Sequence, residues 1–248
     1  MISTYIINLR KDCLRREYIS SLLENCKFLK FRFVDAVYGK MLSEDQIKNR
    51  FDLAKSYKRY GRYLNPGEIG CTLSHFKCYR ELLKSDSPYV LLLEDDISII
   101  NDFSHVEQIV KHLPDNQPWV LFLSADYWFT SLKKLNDQLS LAKVYDAVGT
   151  YAYVINRVGA KLLLEKNPLP SSVADNWSLY RRQGLHLYAV KPYMIDANIE
   201  SFDSSIEQQY FGEIRKNMPL KIRLQSYWLS AIKKLLLRRG NFVSKIRK

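Results

Sequence analysis

The sequence predicts an α/β protein built on a central, mostly parallel β-sheet. Residues 89–93 and 119–123 are continuous apolar runs, which is typical of strands that are covered on both faces. Each run stops at polar residues, and amphipathic helical patterns separate the strand candidates. We therefore expect a ligand site along the carboxyl edge of the sheet.

The strand candidates alternate with helical patterns along the chain. The strands are predicted at residues 3–9, 31–37, 89–93, 119–123, 147–155 and 187–193. An amphipathic helix with apolar positions between Leu14 and Cys26 follows the first strand, Ser43 caps a second helix, and another helix is predicted at 160–165. A loop rich in Tyr, Arg and Lys is predicted to run to Leu64.

The clearest helix start is at Asn65. It is an N-cap residue, a proline occupies the first helical position, and Glu68 stands three residues after the cap. The helix is predicted to continue to about Leu83. Gly67 and Gly70 leave its first turns open to another backbone or to a ligand.

Length and composition indicate a globular enzyme-sized body. With 248 residues, 47% of them hydrophobic, the chain can bury a full-sized core. The four cysteines show no CxxC spacing and lie in apolar helical patterns, so we expect free, mostly buried thiols and neither a disulfide nor a zinc site; they are Cys13, Cys26, Cys71 and Cys78. The first residues have the pattern of a strand and not of a signal peptide, which favours a cytoplasmic protein.

The net charge of +12 is concentrated near the C-terminus. Eleven of the 38 Lys and Arg residues follow Glu213, with no Asp or Glu among them, which leaves 27 bases against 26 acids in residues 1–213. We therefore divide the chain into a nearly neutral domain, 1–213, and a basic tail, 214–248.

The tail has the pattern of an amphipathic helix that lies on an anionic membrane surface. Its apolar face is formed by Leu224, Trp228, Ala231, Ile232 and Leu235, and no apolar run approaches the roughly 20 residues of a membrane span. The predicted membrane contacts are Arg223, Trp228, Lys233, Lys234, Arg238 and Arg239. Nucleic acid is a less favoured partner because the body is neutral and no nucleic-acid module is recognisable. A solvated tail or a helix that docks on a partner stays open.

Three consecutive carboxylates, Glu94, Asp95 and Asp96, follow the apolar run 89–93. Mutual repulsion and desolvation oppose their ionisation, so a divalent cation is the simplest partner. Carboxylate oxygens suit Mg²⁺ or Mn²⁺, and in extended geometry Glu94 and Asp96 point to the same side. The alternative is that these acids cap a following helix or solvate a strand end. There is no GxxxxGK[ST] or GxGxxG motif, which disfavours P-loop and Rossmann dinucleotide chemistry.

Five blocks of sequence together resemble glycosyltransferase family 25, the lipooligosaccharide galactosyltransferases of Gram-negative bacteria. They occur in the family's order over residues 3–200, and they are Ile6-Ile7-Asn8-Leu9 with Arg15-Arg16, Val34-Asp35-Ala36, Gly67-Glu68-Ile69-Gly70-Cys71-Thr72-Leu73-Ser74-His75, Leu93-Glu94-Asp95-Asp96, and Gly149-Thr150-Tyr151-Ala152-Tyr153. The third and fourth blocks are specific in combination, whereas either alone is weak.

The resemblance implies a GT-A-like nucleotide-sugar-binding fold with a nucleotide-binding half to about residue 100 and an acceptor half after it. It also implies an inverting, metal-dependent transfer of galactose from UDP-galactose, with a β-1,4 linkage, onto a growing lipooligosaccharide or lipopolysaccharide. The acceptor would be built on a lipid carrier at the cytoplasmic face of the inner membrane. A UDP-glucose or UDP-N-acetylhexosamine donor stays open, as does a non-enzymatic protein that binds membranes or nucleic acid.

Carried over residue by residue, Glu94, Asp95 and Asp96 look like the counterpart of the Asp-x-Asp motif that binds metal and diphosphate. The donor contacts implied by the other blocks are Asn8, Arg10, Asp35 and Ala36 near the uridine, with Ser74 and His75 facing the donor. Asn8 and Asp35 could instead close turns, and His75 could be a hydrogen-bonded core histidine.

An inverting transfer needs a general base for the acceptor hydroxyl. Asp175 is the first candidate because residues 173–177 with Arg181-Arg182 resemble the acidic motif of many inverting GT-A enzymes. Asp126 is the second candidate because it also follows a buried strand on the same sheet edge. Asp175 could alternatively be a helix N-cap.

Overall fold

The structure is a computed structural model that describes residues 1–124, 126–198 and 218–244. The strands of this part are β1 (Ile2–Asn8), β2 (Leu29–Asp35), β3 (Tyr89–Glu94), β4 (Ile97–Ile99), β5 (Trp119–Phe122), β6 (Tyr127–Lys134), β7 (Ser140–Ala147), β8 (Ala152–Asn156), β9 (His186–Lys191), β10 (Ile195–Ala197) and β11 (Phe242–Val243). The α-helices are α1 (Cys13–Leu23), α2 (Glu44–Lys48), α3 (Leu53–Tyr60), α4 (Pro66–Lys84), α5 (Val106–Val110), α6 (Arg157–Lys166), α7 (Trp177–Arg182) and α8 (Leu220–Arg238), and a 3₁₀ turn covers Gly39–Met41.

A nine-stranded sheet in the order β11-β6-β7-β9-β5-β8-β3-β1-β2 forms the centre of the fold. The pairs β1/β2, β1/β3 and β5/β9 are parallel. The other five pairs are antiparallel, because β8 runs against both of its neighbours and the β6–β7 hairpin extends the sheet beyond β9. The predicted α/β class is confirmed, with a mixed sheet whose parallel pairing is concentrated in the first half.

Helices cover both faces of this sheet. The side chains of Val90 and Leu92 on β3 pack with residues of α4, α6 and α7, whereas Leu91 and Leu93 pack with residues of α1 and α5. All four are fully buried. The continuous apolar run of β3 therefore reflects burial on both faces, as predicted.

Helix α4 starts as predicted, and its first turns lie against another stretch of backbone. Asn65 Oδ1 accepts from the Glu68 N–H and Glu68 Oε2 accepts from the Asn65 N–H, each at 2.8 Å. A Cβ added to Gly70 would lie 2.5 Å from the Val37 carbonyl oxygen, and one added to Gly39 would lie 1.7 Å from the Pro66 carbonyl oxygen. Glycine at both positions therefore allows the loop 36–40 to lie directly on the helix.

The structure differs from the sequence prediction in three elements. The β6–β7 hairpin was missed because five of the eight residues of β6 are exposed and the apolar pattern is weak. The predicted strand 147–155 is divided, since β7 ends at Ala147 and β8 begins at Ala152. The long loop before Leu64 contains α3, which Asp52 caps by accepting from the Lys55 N–H at 2.8 Å.

The C-terminal segment 218–244 packs against the same sheet. Strand β11 pairs with β6, Leu236 of α8 is buried, and Lys233 Nζ lies 2.5 Å from Asp146 Oδ2 on β7. The predicted division at 213/214 falls outside the described residues. In the part of the chain that the structure covers, no helix has both the length and the apolar character that crossing a membrane requires.

Candidate active site

The sheet topology brings four chain segments to one edge. Asn8, Asp35 and Glu94 end the strands β1, β2 and β3 respectively, and the parallel strand β1 lies between the other two. Strand β8 runs in the opposite direction, so the residues that precede it, 149–151, arrive at the same edge, where Leu93 pairs with Ala152. The polar ends of β1 and β3 therefore face the Gly149-Thr150-Tyr151 turn, in agreement with the predicted location of the site.

Asp95 and Asp96 form a hydrogen-bonded cluster with α1 and β1. Arg15 Nη1 lies 3.0 Å from Asp95 Oδ1 and 3.0 Å from Asp96 Oδ2, and Asn8 Nδ2 donates to Asp95 Oδ2 at 2.7 Å. Both oxygens of Asp95 are thus occupied. Asp96 Oδ1 is buried and has no hydrogen-bond partner among the described residues.

Burial raises the pKa of both aspartates. Desolvation is the main cause for Asp95, and for Asp96 desolvation and the neighbouring Glu94 charge together raise the pKa to about 6. Three carboxylates and one guanidinium leave the cluster of Arg15, Glu94, Asp95 and Asp96 with an excess of two negative charges when all four are ionised. The turn that contains these acids leads into β4 and not into a helix, so the helix-capping alternative is wrong.

Glu94 contacts α4 and the turn before β8. The Thr150 hydroxyl donates to Glu94 Oε1, and His75 Nε2 lies 3.5 Å from the same oxygen. Cys71 stands one helical turn before His75, and burial raises the pKa of its thiol well above the usual range. Sequence reasoning missed Cys71, Thr150 and Arg15 as site residues. The i, i+4 spacing of Cys71 and His75 on one helix was the signal that could have identified the first.

Asp175 lines the same cleft as the acidic cluster. Its Oδ2 accepts from the Gly149 N–H at 3.0 Å, and Trp177 Nε1 donates to the Gly149 carbonyl at 2.9 Å. Burial raises the pKa of Asp175. The N-cap of α7 is Asn176, whose Oδ1 accepts from the Leu179 N–H, so the alternative of Asp175 as a helix cap is wrong.

These groups line one open cleft of about 510 Å³. The predicted site residues that line it are Ala36, Ser74, His75, Glu94, Asp95, Asp96 and Asp175. Ser74 Oγ donates to the Gly70 carbonyl at 2.7 Å and accepts from the Val37 N–H at 2.8 Å, so it holds the loop 36–40 that forms one wall.

Four other predicted residues do not line the cleft. Asn8 lies beneath it, where it holds Asp95. Arg10 and Asp35 form an exposed ion pair at 2.8 Å. Asp126 adopts a positive φ of 69° at the start of the β6 hairpin, where its backbone bonds Val243 and Val148. The ends of adjacent strands meet as predicted, but local turns direct these side chains elsewhere.

The predicted membrane residues on α8 fall into two groups. Trp228, Lys234, Arg238 and Arg239 are exposed. Arg223 is half-buried, whereas Lys233 turns inward to the Asp146 carboxylate and lies 4.0 Å from the Trp128 ring centroid. The prediction of Lys233 as a membrane contact is therefore wrong, because its charge is paired within the protein.

The cysteines are all free, but only Cys78 is buried; Cys13 is exposed and the other two are half-buried, so the prediction of mostly buried thiols is also wrong.

Comparison with known proteins identifies the family. The model of Glycosyltransferase family 25 (LPS biosynthesis protein) matches residues 1–176, which are most of the chain. The chain belongs to glycosyltransferase family 25. Family 25 membership, together with the sheet described above, confirms the GT-A-like α/β class that the sequence predicts.

Relatives within family 25 differ in their named activity. The chain is 30% identical to Inactive glycosyltransferase 25 family member 3 of Homo sapiens over 178 residues, which are 66% of this chain and 29% of that protein. It is 33% identical to Procollagen galactosyltransferase 1-B of Xenopus laevis over 111 residues, which are 44% of this chain and 18% of that protein. The chain therefore matches less than a third of the length of these relatives.

Among solved structures, the galactosyltransferase LgtC in complex with donor and acceptor sugar analogues aligns over 75% of this chain and 73% of its own. The TM-score is 0.34 and the sequence identity is 11%.

Proposed function

We propose that this family 25 chain transfers galactose from UDP-galactose to a saccharide acceptor with inversion at the sugar carbon. The observation that carries the proposal is one cleft that is lined both by the acidic cluster at the end of β3 and by Asp175 on the segment before α7. The acidic cluster offers charge suited to a cation, which could in turn bind a diphosphate, and Asp175 offers a half-buried carboxylate suited to proton transfer.

The residues fit a divalent cation at Glu94 and Asp96. Asp96 has a buried oxygen without a partner in the described chain, and desolvation and the Glu94 charge raise its pKa, so a cation would stabilise the ionised carboxylate. Asp95 is a poorer ligand than we expect from the sequence, because Asn8 and Arg15 occupy both of its oxygens. Two carboxylates suit Mn²⁺ or Mg²⁺, and such an ion would stabilise the charge of the departing diphosphate.

Asp175 is the proposed general base. Asp175 lines the cleft and its Oδ2 accepts from the Gly149 N–H, so we assign Oδ1 as the proton acceptor. As the acceptor hydroxyl loses its proton to Oδ1, its oxygen bonds to the sugar carbon and the bond from that carbon to the diphosphate breaks. The raised pKa of Asp175 brings its basicity closer to neutral pH, where a general base works best. Asp126 is the weaker candidate because it does not line the cleft.

The identity of donor and acceptor rests on the relatives. Procollagen galactosyltransferase 1-B and Procollagen galactosyltransferase 2 carry galactose transfer in their names, and the family model is described by LPS biosynthesis. We infer a growing lipooligosaccharide or lipopolysaccharide on a lipid carrier as the acceptor and a β-1,4 linkage as the product.

The exposed side of α8 supports a place on an anionic membrane surface at the cytoplasmic face of the inner membrane. Leu220, Leu224, Trp228 and Leu235 are between 47% and 71% exposed. They recur at helical spacing, and Lys221, Lys234 and Arg238 are exposed beside them. An apolar stripe bordered by lysine and arginine is the pattern of helices that lie in the headgroup region.

The test is a UDP-release assay on the full chain with UDP-galactose, UDP-glucose and UDP-N-acetylhexosamines, each with Mn²⁺ and with EDTA. Lactose-related and glucoside acceptors complete the set. We expect metal-dependent release that is greatest with UDP-galactose and is lost in Asp96→Ala, while Asp45→Ala, an exposed carboxylate on α2, keeps it. Full activity in a folded Asp96→Ala protein would refute the cation assignment.

A family member without turnover is the second candidate, because one similar human protein is named inactive. This candidate predicts that UDP-galactose binds, as measured by calorimetry, while no donor releases UDP with any acceptor.

A further inference from the structure

A second group of potential metal ligands lies in the cleft beside the acidic cluster. Cys71 and His75 stand one turn apart on α4 and face Glu94 at the end of β3. The cysteine sulfur, a ring nitrogen of His75 and a carboxylate oxygen of Glu94 all lie within 4.8 Å of one another. Three potential ligand atoms from two packed elements therefore lie close together.

The environment of His75 points to a ligand. His75 is 1% exposed, and its Nε2 has no hydrogen-bond partner in the described part of the chain, although Glu94 Oε1 lies 3.5 Å away. A histidine kept only for core packing would be expected to satisfy this nitrogen, since a buried polar atom without a partner destabilises the fold.

The other ring nitrogen is held in the way that metal-binding histidines require. His75 Nδ1 lies 2.7 Å from the Tyr153 hydroxyl, which lies 2.7 Å from the Tyr79 hydroxyl. If Nδ1 carries the proton and donates to Tyr153, and Tyr153 donates to Tyr79, then Nε2 presents its lone pair to Cys71 and Glu94. Such an outer hydrogen bond fixes both the ring orientation and the tautomer.

We propose that Cys71 Sγ, His75 Nε2 and a Glu94 carboxylate oxygen bind a thiophilic divalent metal ion of the Zn²⁺ class. Sulfur and imidazole nitrogen favour Zn²⁺ and Co²⁺ over Mg²⁺ and Mn²⁺, which prefer oxygen ligands. Binding converts the Cys71 thiol to a thiolate and releases its proton to solvent. All three residues line the cleft, so the fourth tetrahedral position opens towards it.

This site has sulfur and nitrogen ligands, whereas the oxygen site, formed by the carboxylates of Glu94 and Asp96, has only oxygen ligands. Metal binding at Cys71 and His75 does not require that the protein transfers galactose. The two sites share Glu94, so one carboxylate cannot serve both ions in full. Zn²⁺ is therefore expected to compete with Mn²⁺ for the cleft.

Cobalt spectroscopy on the metal-free chain tests the proposal. Tetrahedral Co²⁺ absorbs strongly in the visible range, and a cobalt–thiolate bond adds a charge-transfer band in the near ultraviolet. We expect both signals in the native protein and loss of the charge-transfer band in Cys71→Ser. Cys13→Ser is the matched control, because Cys13 is an exposed thiol outside the cleft, and it should keep both signals.

Two more variants separate the sites. Asp96→Asn removes a ligand of the oxygen site and should leave the cobalt spectrum unchanged. His75→Gln should weaken Zn²⁺ binding more than about tenfold, since even an outer-sphere partner of a metal ligand contributes about 10–100-fold. Circular dichroism establishes that each variant is folded. The proposal is overturned if the native protein gives only a weak octahedral cobalt spectrum, or if the charge-transfer band survives in Cys71→Ser or disappears in Cys13→Ser.

Discussion

Arg15 and Asp96 form an ion pair, with Nη1 and Oδ2 3.0 Å apart, that joins the first turn of α1 to the end of β3. The same nitrogen lies 3.0 Å from Asp95 Oδ1. One guanidinium therefore compensates one buried and one half-buried carboxylate at once, and the acidic cluster depends on it.

Removal of Arg15 should destabilise the fold. In Arg15→Gln we expect the free energy of unfolding at pH 7 to fall by about 3 kcal/mol, because two carboxylates lose their compensating charge in a mostly buried place. Urea unfolding measures the change. Arg10→Gln is the control: it breaks an exposed ion pair with Asp35 and should change stability by no more than about 0.5 kcal/mol. Equal effects of the two substitutions would contradict the structural role of Arg15.

Replacement of Asp96 should raise the free energy of unfolding, and it should do so only above about pH 4. The pKa of Asp96 is raised from 3.8 to about 6 in the folded state, so the ionised carboxylate destabilises the fold. This cost is absent below about pH 4 and complete above about pH 6. Asp96→Asn in EDTA should therefore be more stable than the native protein at pH 7, on the order of 2 kcal/mol, and equal to it near pH 4. A pH series of urea unfolding curves checks this, and a stability difference that does not vary with pH would contradict it.

The two candidate bases can be separated by kinetics. Asp175→Asn should lower kcat about 10²–10⁴-fold, the usual contribution of a positioned base. KM for the donor should change little, because the amide can still accept the Gly149 N–H. Asp126→Asn should keep kcat within about threefold, since Asp126 lies outside the cleft. If Asp126→Asn lowers kcat more than Asp175→Asn does in steady-state assays, Asp126 and not Asp175 is the general base.

The membrane proposal rests on the exposed stripe of α8. The double variant Leu224→Ser, Trp228→Ser should bind vesicles of anionic phospholipid at least about tenfold more weakly, because two apolar side chains no longer enter the headgroup region. Its thermal unfolding should match the native protein, as both residues are exposed. Val158→Ser on α6, another exposed apolar position, is the control in the flotation assay. Unchanged vesicle binding of the double variant would show that the exposed stripe of α8 is not the membrane-binding surface.

Local signals in the sequence were sufficient for helix α4, strand β3 and the acidic cluster. The Asn65–Glu68 capping box involves neighbours along the chain, so its residue types predict its geometry. The burial of β3 on both faces follows from its uninterrupted apolar run. The sheet edge that carries Glu94 was correctly expected, because the site was predicted at the carboxyl ends of the strands.

Other features depended on contacts between distant residues. Periodicity assigned Lys233 to the polar side of α8, but only the packing of α8 brings it to Asp146, 87 positions earlier. Arg10 and Asp35 meet at the strand ends as expected, yet their side chains point to solvent and pair with each other. The i, i+4 spacing of Cys71 and His75 is readable in the sequence, but their contact with Glu94 is not, because Glu94 belongs to a different element.

The contact between Gly39 and Gly70 gives a rule for comparing other sequences with this one. A side chain at either position would force the loop 36–40 away from α4, since each Cβ would overlap backbone atoms that cannot rotate aside. Substitutions at the two positions should therefore be correlated among related chains. A relative that keeps Glu94, Asp95 and Asp96 but has a larger residue at position 39 or 70 must have a different conformation of the loop 36–40, which forms one wall of the cleft. Its ligand preference should therefore not be inferred from the three acids alone.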